Sequence, residues 1–559
     1  MNRNSEQHFT TVPSVDVPRS TFPIEFQHTT TFNVGDLVPI LWTEILPGDT
    51  FQADQHLVCR LTTLLTPVMD NLDLDTYAFF VASRTLWEHW KELQGENRLG
   101  AWTQTTQYKV PELTTPTGGM NAKTLLDYMG VPTGVSGIKI SALPVRAYVK
   151  IFNEFFRDQN VTAPLTEYED DTDRTASNTA TELGGALCKS YKKHDLFTSA
   201  LPAPQKSSPV TLPIGQSAPL VISGDGKALG LTDGTSTAGL FAGSNGVTYA
   251  NLNSYDKNVG TAYVAGNITS NSSLGVTLDA TKSGLTGYAD LSNAVAATIN
   301  AQRYAFALQR IFEADARCCT RYREILKNIF HVVSPDATQQ VPEYLGGKRI
   351  PLNITQVEQT SASGQNITPL GTVSGMSTTG DSDRMFTKSF TEHGYLIVLA
   401  TVRQHKHRYA QGLNRQWNHT LRFHFFMPQL QFLGEQEIKN KELFCQDQSV
   451  ININTGNPYN EEAFGYTPRW EEYKQIPSMV TSEMRPQYAQ TLAYWTFVDF
   501  YQSLPVLSTQ FLEETPDFVD RTLAVSKNVS NQLILDYLLD IKATRPVLYN
   551  AVPGLLDHF

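Results

Sequence analysis

The sequence predicts a mainly β protein, an antiparallel barrel of jelly-roll layout that carries large loop and helical insertions. Three observations lead there. Strand-like runs gather near the start and the end of the chain, turn signals separate them, and helical or glycine-rich stretches interrupt the middle.

In chain order, the run that opens at Val38 meets Pro47-Gly48-Asp49, a turn signal. Beyond it Leu57, Cys59, Leu61, Thr63 and Leu65 fall on one face of an extended strand, and Val58, Arg60, Thr62 and Leu64 on the other. "TYAFFVAS", Thr76 to Ser83, is apolar on both faces, the pattern of a strand covered on both sides. From Tyr395 onward "YLIVLATV", "TLRFHFFM" and "YWTFVDFY" predict further strands.

Helices are predicted between these groups. "RTLWEHWKELQG" spaces Leu86, Trp90 and Leu93 helically and stops at Gly95. "ALPVRAYVKIFNEFFRDQ" has Pro144 near a helix start, followed by an apolar stripe of Val145, Tyr148, Val149, Phe152 and Phe156. A longer helical segment is expected from about Asn293 to Phe330. Residues 201–290 are rich in Gly, Ser, Thr and Asn and read as a surface excursion of short strands and turns. The chain thus divides into 1–200 (early strands with helical insertions), 201–290 (the insertion) and 291–559 (a helical segment, the remaining strands and a C-terminal arm).

Composition narrows the function. The chain has 559 residues, 41% of them apolar, enough for a sizeable core. A net charge of −11 argues against a protein coated in positive charge for wrapping duplex DNA. The polar start offers no apolar stretch for a signal peptide, and no run is long enough to span a bilayer, so a soluble protein without membrane insertion is expected. Cys59, Cys188, Cys318, Cys319 and Cys445 show no C-x-x-C spacing and are expected to be buried reduced thiols.

Catalytic motifs are scarce, and no enzyme activity or cofactor is expected. "SGDGKALG" lacks the spacing of a phosphate loop, and neither G-x-S-x-G nor H-E-x-x-H occurs. The acidic clusters "DNLDLD" (70–75) and "EYEDDTD" (167–173) miss the EF-hand spacing and read as solvated turns. His405 and His407, two apart on an expected strand, are a weak metal signal, and no metal site is assigned. The better reading of that region concerns nucleic acid. From Tyr395 to Gly434 there is no Asp or Glu, while Arg403, Lys406, Arg408, Arg415 and Arg422 stand among Tyr409, Trp417, Phe423 and Phe425. Cations attract phosphates and flat rings stack on unpaired bases, so Arg403, Lys406, Arg408, Arg415, Trp417 and Arg422 are candidate contacts to single-stranded DNA. A solvated loop or a subunit interface is the alternative.

Several motifs carry a family resemblance. "EILPGDTF" (Glu44 to Phe51), "PVMDNLDLDTYAFFVASRTLWEHW", "IFNEFFRDQNV", "EADARCCTRYREIL" with "SPDATQQVPEYLGG", "EHGYLIVLATVR", "NKELF", "FGYTPRWEEYK" and "VPGLLDHF" resemble the major capsid proteins of microviruses, specifically the gokushovirus branch. Cys318-Cys319 stands where that branch has a glycine pair. The resemblance spans nearly the whole chain except 201–290. It implies an eight-stranded jelly roll of viral capsid type, whose copies form a T=1 icosahedral shell, through pentamers, around circular single-stranded DNA. It also implies a threefold protrusion built by the insertion, scaffolding, pilot and small DNA-binding proteins as partners, and assembly in a bacterial host's cytoplasm. Exposed Asn245, Tyr249, Asn253, Tyr255 and Tyr263 of the insertion would then face a host receptor. The competing reading is a carbohydrate-binding or glycan-cleaving β-sandwich, which would work as a monomer or small oligomer and need a concave aromatic and carboxylate site.

Overall fold

The computed structural model describes residues 19–97, 106–210, 299–318, 320–361 and 370–550, with five short strands between 220 and 289. It divides into two compact units, residues 1–206 with 313–559, and residues 207–312.

The larger unit is built on eight long strands: β1 (Ser20–Phe32), β2 (Val38–Ile45), β3 (Thr50–Leu61), β4 (Leu72–Ala82), β5 (Glu343–Pro351), β6 (Thr379–Ser389), β7 (Gly394–Gln404) and β8 (Leu533–Arg545). They form two four-stranded antiparallel sheets, ordered β1-β8-β3-β6 and β5-β4-β7-β2. Over its first four strands the chain changes sheet at every step. Residues 83–342 then link β4 to its neighbour β5, and residues 405–532 link β7 to β8.

Side-chain period explains the layers. β3 buries Phe51, Ala53, Leu57, Cys59 and Leu61 alternately, and β8 buries Leu533, Leu535, Tyr537, Leu539, Ile541 and Ala543. These meet Leu72, Leu74, Leu396, Val398, Ala400 and Val402 from the second sheet in one core. β4 and β7 are buried on both faces. Their second face lies under Trp87, Leu143, Tyr148 and Ile151, which pack on Phe79, Val81, Ile397 and Leu399. Continuous apolar runs in these two strands therefore follow from covering on both sides.

The Pro47-Gly48-Asp49 turn joins β2 to β3 and ties three strand ends together. Gly48 has φ +90°, a conformation that only glycine adopts without strain. Asp49, fully buried, accepts from the Leu46 amide at 2.9 Å and from Arg545 Nε, at the end of β8, at 3.0 Å. Gly48 N donates to Phe390 O and Phe390 N to Asp49 O, each at 2.8 Å, fixing the link between β6 and β7.

Several expectations are corrected. "RTLWEHWKELQG" is only a 3₁₀ turn (Ser83–Thr85) and one helical turn (Trp90–Leu93), because Trp87 between them turns inward and donates its indole N–H to Asp171 at 2.6 Å. Helix α1 (Leu143–Ile151) has Pro144 near its start as expected and ends in a π turn, Phe152–Phe156. The segment expected over 293–330 is two helices, α2 (Ile299–Cys318) and α3 (Tyr322–Ile329), with Glu324 capping the second by accepting from Arg321 N. "TLRFHFFM" and "YWTFVDFY" are not strands. The first holds a 3₁₀ turn, Arg422–His424, and its Phe423, Phe425 and Phe426 are exposed. An apolar, aromatic run becomes a strand only where a partner edge and a covering layer exist. The second run holds a 3₁₀ turn, Ala493–Trp495, then buries Phe497 and Val498 in extended chain. Cys59 and Cys188 are buried thiols, but Cys318 and Cys445 are exposed.

In the smaller unit Leu220–Ser223 pairs with Thr286–Ala289, and Leu229–Thr232 lies between Thr237–Leu240 and Gly275–Thr277. Asn245, Tyr249, Asn253, Tyr255 and Tyr263 lie outside the described residues.

Candidate nucleic-acid interface

The basic segment starts as the last turn of register in β7. Arg403 sits opposite Asp73 of β4, and Gln404 opposite Leu72. The chain then leaves the sheet beside the 494–501 segment: Asp499 N donates to Arg408 O at 2.9 Å, and Ala410 N to Asp499 O at 3.3 Å.

This route separates the sequence-predicted cations into two groups. Arg403 donates to Asp75 and, through Nη2, to the Tyr77 hydroxyl at 2.9 Å. Arg408 donates to Asp70. Arg415 is buried, with Nε 3.0 Å from Glu442, Nη1 3.4 Å from Glu472 and Nη2 donating to Glu437 O at 3.0 Å. These three guanidiniums hold the fold together, and Arg415 is only 6% exposed. Lys406, Trp417 and Arg422 are exposed, Trp417 by 77%. Arg422 lies over the Phe423 ring at 5.7 Å, and Phe425, Phe426 and Phe432 extend the exposed aromatic strip.

The partners of the inward group include an acidic cluster expected to be a solvated turn. Asp70, Asp73 and Asp75 are instead buried. Asp73 accepts from Lys193 and from His405 Nδ1 at 2.9 Å. Asp75 meets Arg349 at 2.8 Å as well as Arg403. Burial raises the Asp70 carboxyl above the usual range despite Arg408 beside it. Burial acts the same way on Asp73, but Lys193 and His405 outweigh it and hold that carboxyl low. In the second acidic cluster Asp170 pairs with Arg174 at 2.7 Å, and that ion pair holds its carboxyl well below the usual range.

His405 and His407 do not share a ligand. His407 is buried, with Nδ1 3.1 Å from Asp499 and Nε2 3.1 Å from Glu514. Lys192 Nζ completes the group, 2.9 Å from Asp499 and 3.0 Å from the Tyr501 hydroxyl. Burial pushes the His407 imidazolium down, and the two carboxylates reverse this and lift it to about 10. Asp499 is held well below the carboxylate range, against the cost of its burial, by Lys192 and His407. Two cations facing two anions, all shut from water, form a structural clamp between the chain just past β7, the 190–193 segment and the 499–514 segment. Among the described residues no group of three or more His, Cys, Asp or Glu is arranged to hold a metal.

Sequence reasoning missed this clamp because its members lie far apart in the chain. A local signal existed for the separate acidic cluster: Asp73 and Asp75 interrupt an otherwise apolar strand, and carboxylates there must find cations.

The family model described as "Capsid protein (F protein)" matches residues 10–555. Capsid protein VP1 of Bdellovibrio phage phiMH2K is 36% identical over 564 residues, covering 100% of this chain and 99% of that protein. Capsid protein VP1 of Chlamydia phage 1 is 34% identical, covering 98% of each. Capsid protein VP1 of Spiroplasma virus 4 is 36% identical, covering 96% of each. All three come from Microviridae.

Proposed function

Since the chain belongs to the phage capsid protein (F protein) family, we propose that it is a major capsid protein whose copies assemble, through pentamers, into a T=1 icosahedral shell around a circular single-stranded DNA genome. The observation that carries the reading is the match over nearly the full length of both chains. The family is a structural one, so the glycan-cleaving alternative is not carried further.

The sheet orders β1-β8-β3-β6 and β2-β7-β4-β5 support reading the body as an eight-stranded jelly roll with insertions. Loops at both ends of such a body offer the several distinct patches that five-, three- and twofold contacts need. Residues 201–290 serve as the threefold protrusion and the host-attachment surface, with Asn245, Tyr249, Asn253, Tyr255 and Tyr263 toward the receptor. Lys406, Trp417 and Arg422, with the exposed rings around them, touch the genome. Scaffolding, pilot and small DNA-binding proteins are the assembly partners, in the bacterial cytoplasm, before the protein resides in the virion. Among the described residues no helix is long and apolar enough to cross a membrane.

Sedimentation velocity and electron microscopy of the purified protein test this, at low and moderate salt, alone and with a co-expressed scaffolding protein. Closed shells or pentamers are expected. A stable monomer at high concentration under all these conditions would overturn the assembly reading.

A further inference from the structure

A cleft of about 930 Å³ lies in the larger unit, between Tyr77 of β4, Tyr344 and Arg349 of β5, the Phe155–Asn160 segment and α3. Its volume suits one small ligand. Its charge is one-sided: eight lining residues are Arg or Lys and two are acidic, in a chain of net charge −11. Several of the answering carboxylates stand behind the wall. Asp73, Asp75 and Asp499 are almost wholly buried and do not line the cleft. Lys192, Lys193 and Arg403 turn their charged ends to these recessed anions, which leaves Arg349 and Lys327 as exposed cations of the cleft, where low-dielectric walls concentrate their field.

Two of these cations, Arg349 and Lys327, have capacity to spare. Arg349 and Arg403 share one carboxylate, Asp75, and the Arg349 side chain stays 54% exposed. Lys327 is exposed on α3 and makes no hydrogen bond or ion pair among the described residues. Arg157 also lines the cleft, but its Nη1 donates to the Thr162 carbonyl at 2.8 Å and its Nε is shut from solvent. The apolar side of the cleft is aromatic. Tyr77 and Phe156 meet edge to face at 5.2 Å, Phe79 and Tyr344 lie 5.5 Å apart, and Tyr344 is 44% exposed.

We propose that this cleft binds a nucleotide, its phosphate held by Arg349 and Lys327 and its base stacked against Tyr344. Guanidinium forks match phosphate oxygens, and an exposed ring beside them offers the flat face a base requires. The same chemistry is presented by one unit of a single strand and by a free nucleotide. The strand as source rests on the genome-enclosing reading above, whereas the cleft itself does not.

The test uses the full chain at low salt. A dT octamer carrying 5-iododeoxyuridine is photo-cross-linked and its adducts mapped by mass spectrometry. Anisotropy of a fluorescein-labelled dT octamer is measured for the native protein, Arg349→Ala/Lys327→Ala, and Trp417→Ala/Arg422→Ala, with thymidine monophosphate as competitor and as a calorimetric titrant. Asp75 keeps Arg403 in the first variant, and among the described residues Lys327 has no partner to lose, so both changes are expected to leave the fold intact. Adducts on the Tyr344 peptide are expected, with affinity about tenfold weaker in Arg349→Ala/Lys327→Ala. Displacement by the monophosphate identifies a one-nucleotide site. Adducts confined to residues 417–433, with Arg349→Ala/Lys327→Ala binding like the native protein, would overturn the cleft and leave the genome-enclosing reading standing. Binding of thymidine monophosphate alone, lost in Arg349→Ala/Lys327→Ala, would support the cleft and remove the strand as its source. Binding of neither probe would overturn the cleft.

Discussion

Lys192 Nζ stands 2.9 Å from Asp499 Oδ2, and neither side chain exposes more than 1% of its surface. A pair so placed has lost its water, so each charge depends on the other. Removing one partner strands a buried charge and costs about 3–5 kcal/mol. Lys192→Met and Asp499→Asn are each expected to lower protomer stability by that order in denaturant unfolding. The double variant should cost less than the sum of the two, because the second change removes the charge stranded by the first. Strict additivity would show that the pair is not coupled.

His407 gives the clamp a pH dependence. Its folded value, about 10, lies above its ordinary value of 6.5. The stability it adds is therefore fully present below pH 6.5 and is lost as pH rises from there through 10. Asp499 acts at the other end: its lowered carboxyl contributes stability above the ordinary carboxylate range and loses it as pH falls below. Thermal melts from pH 6 to 10 should decline for the native protein and decline less steeply for His407→Gln. An unchanged slope in the variant would remove His407 as the source.

What the sequence made legible was what neighbours in the chain encode. Alternation in β3 and the continuous apolar run of β4 predicted which faces are covered, and Gly48 marked its own turn. The counter-charges were not legible, because Asp73 and Asp75 find Lys193 and Arg403 at separations of 120 and 328 residues. The count of five cations without a carboxylate between Tyr395 and Gly434 was correct, yet folding brings Asp70, Asp75, Glu442 and Glu472 to three of them. "TLRFHFFM" failed for a related reason: an apolar run states that a surface wants covering, not which element covers it.

The split between inward and outward cations separates two phenotypes. Arg415→Ala leaves Glu442 and Glu472 buried without their cation and is expected to destabilise the protomer by about 3–5 kcal/mol. Burial already raises the Glu442 carboxyl even with Arg415 present. Trp417→Ala/Arg422→Ala changes exposed side chains and should leave stability within about 0.5 kcal/mol of native. If the outward residues touch the genome, this second variant assembles shells with less packaged DNA. Normal packaging by Trp417→Ala/Arg422→Ala, measured as the 260 to 280 nm absorbance ratio of purified particles, would reassign the strip to a contact between copies.

Two glycines test how the turn and the clamp are seated. Gly48 has φ +90°, and an added Cβ would come no nearer than 3.9 Å to Pro546. Gly48→Ala should therefore cost only the left-handed backbone, about 1–2 kcal/mol. Gly35 has φ +86°, but its added Cβ would run into the backbone carbonyl of Glu514, the residue that receives His407 Nε2. There the carbonyl must retreat, and the buried carboxylate moves with it. Gly35→Ala is expected to cost more than twice as much as Gly48→Ala, and to flatten the pH dependence between 6.5 and 10, which Gly48→Ala leaves intact. Parallel denaturant and pH melts of the two variants check both parts. Equal losses with equal pH slopes would show that the Gly35–Glu514 contact does not position the clamp.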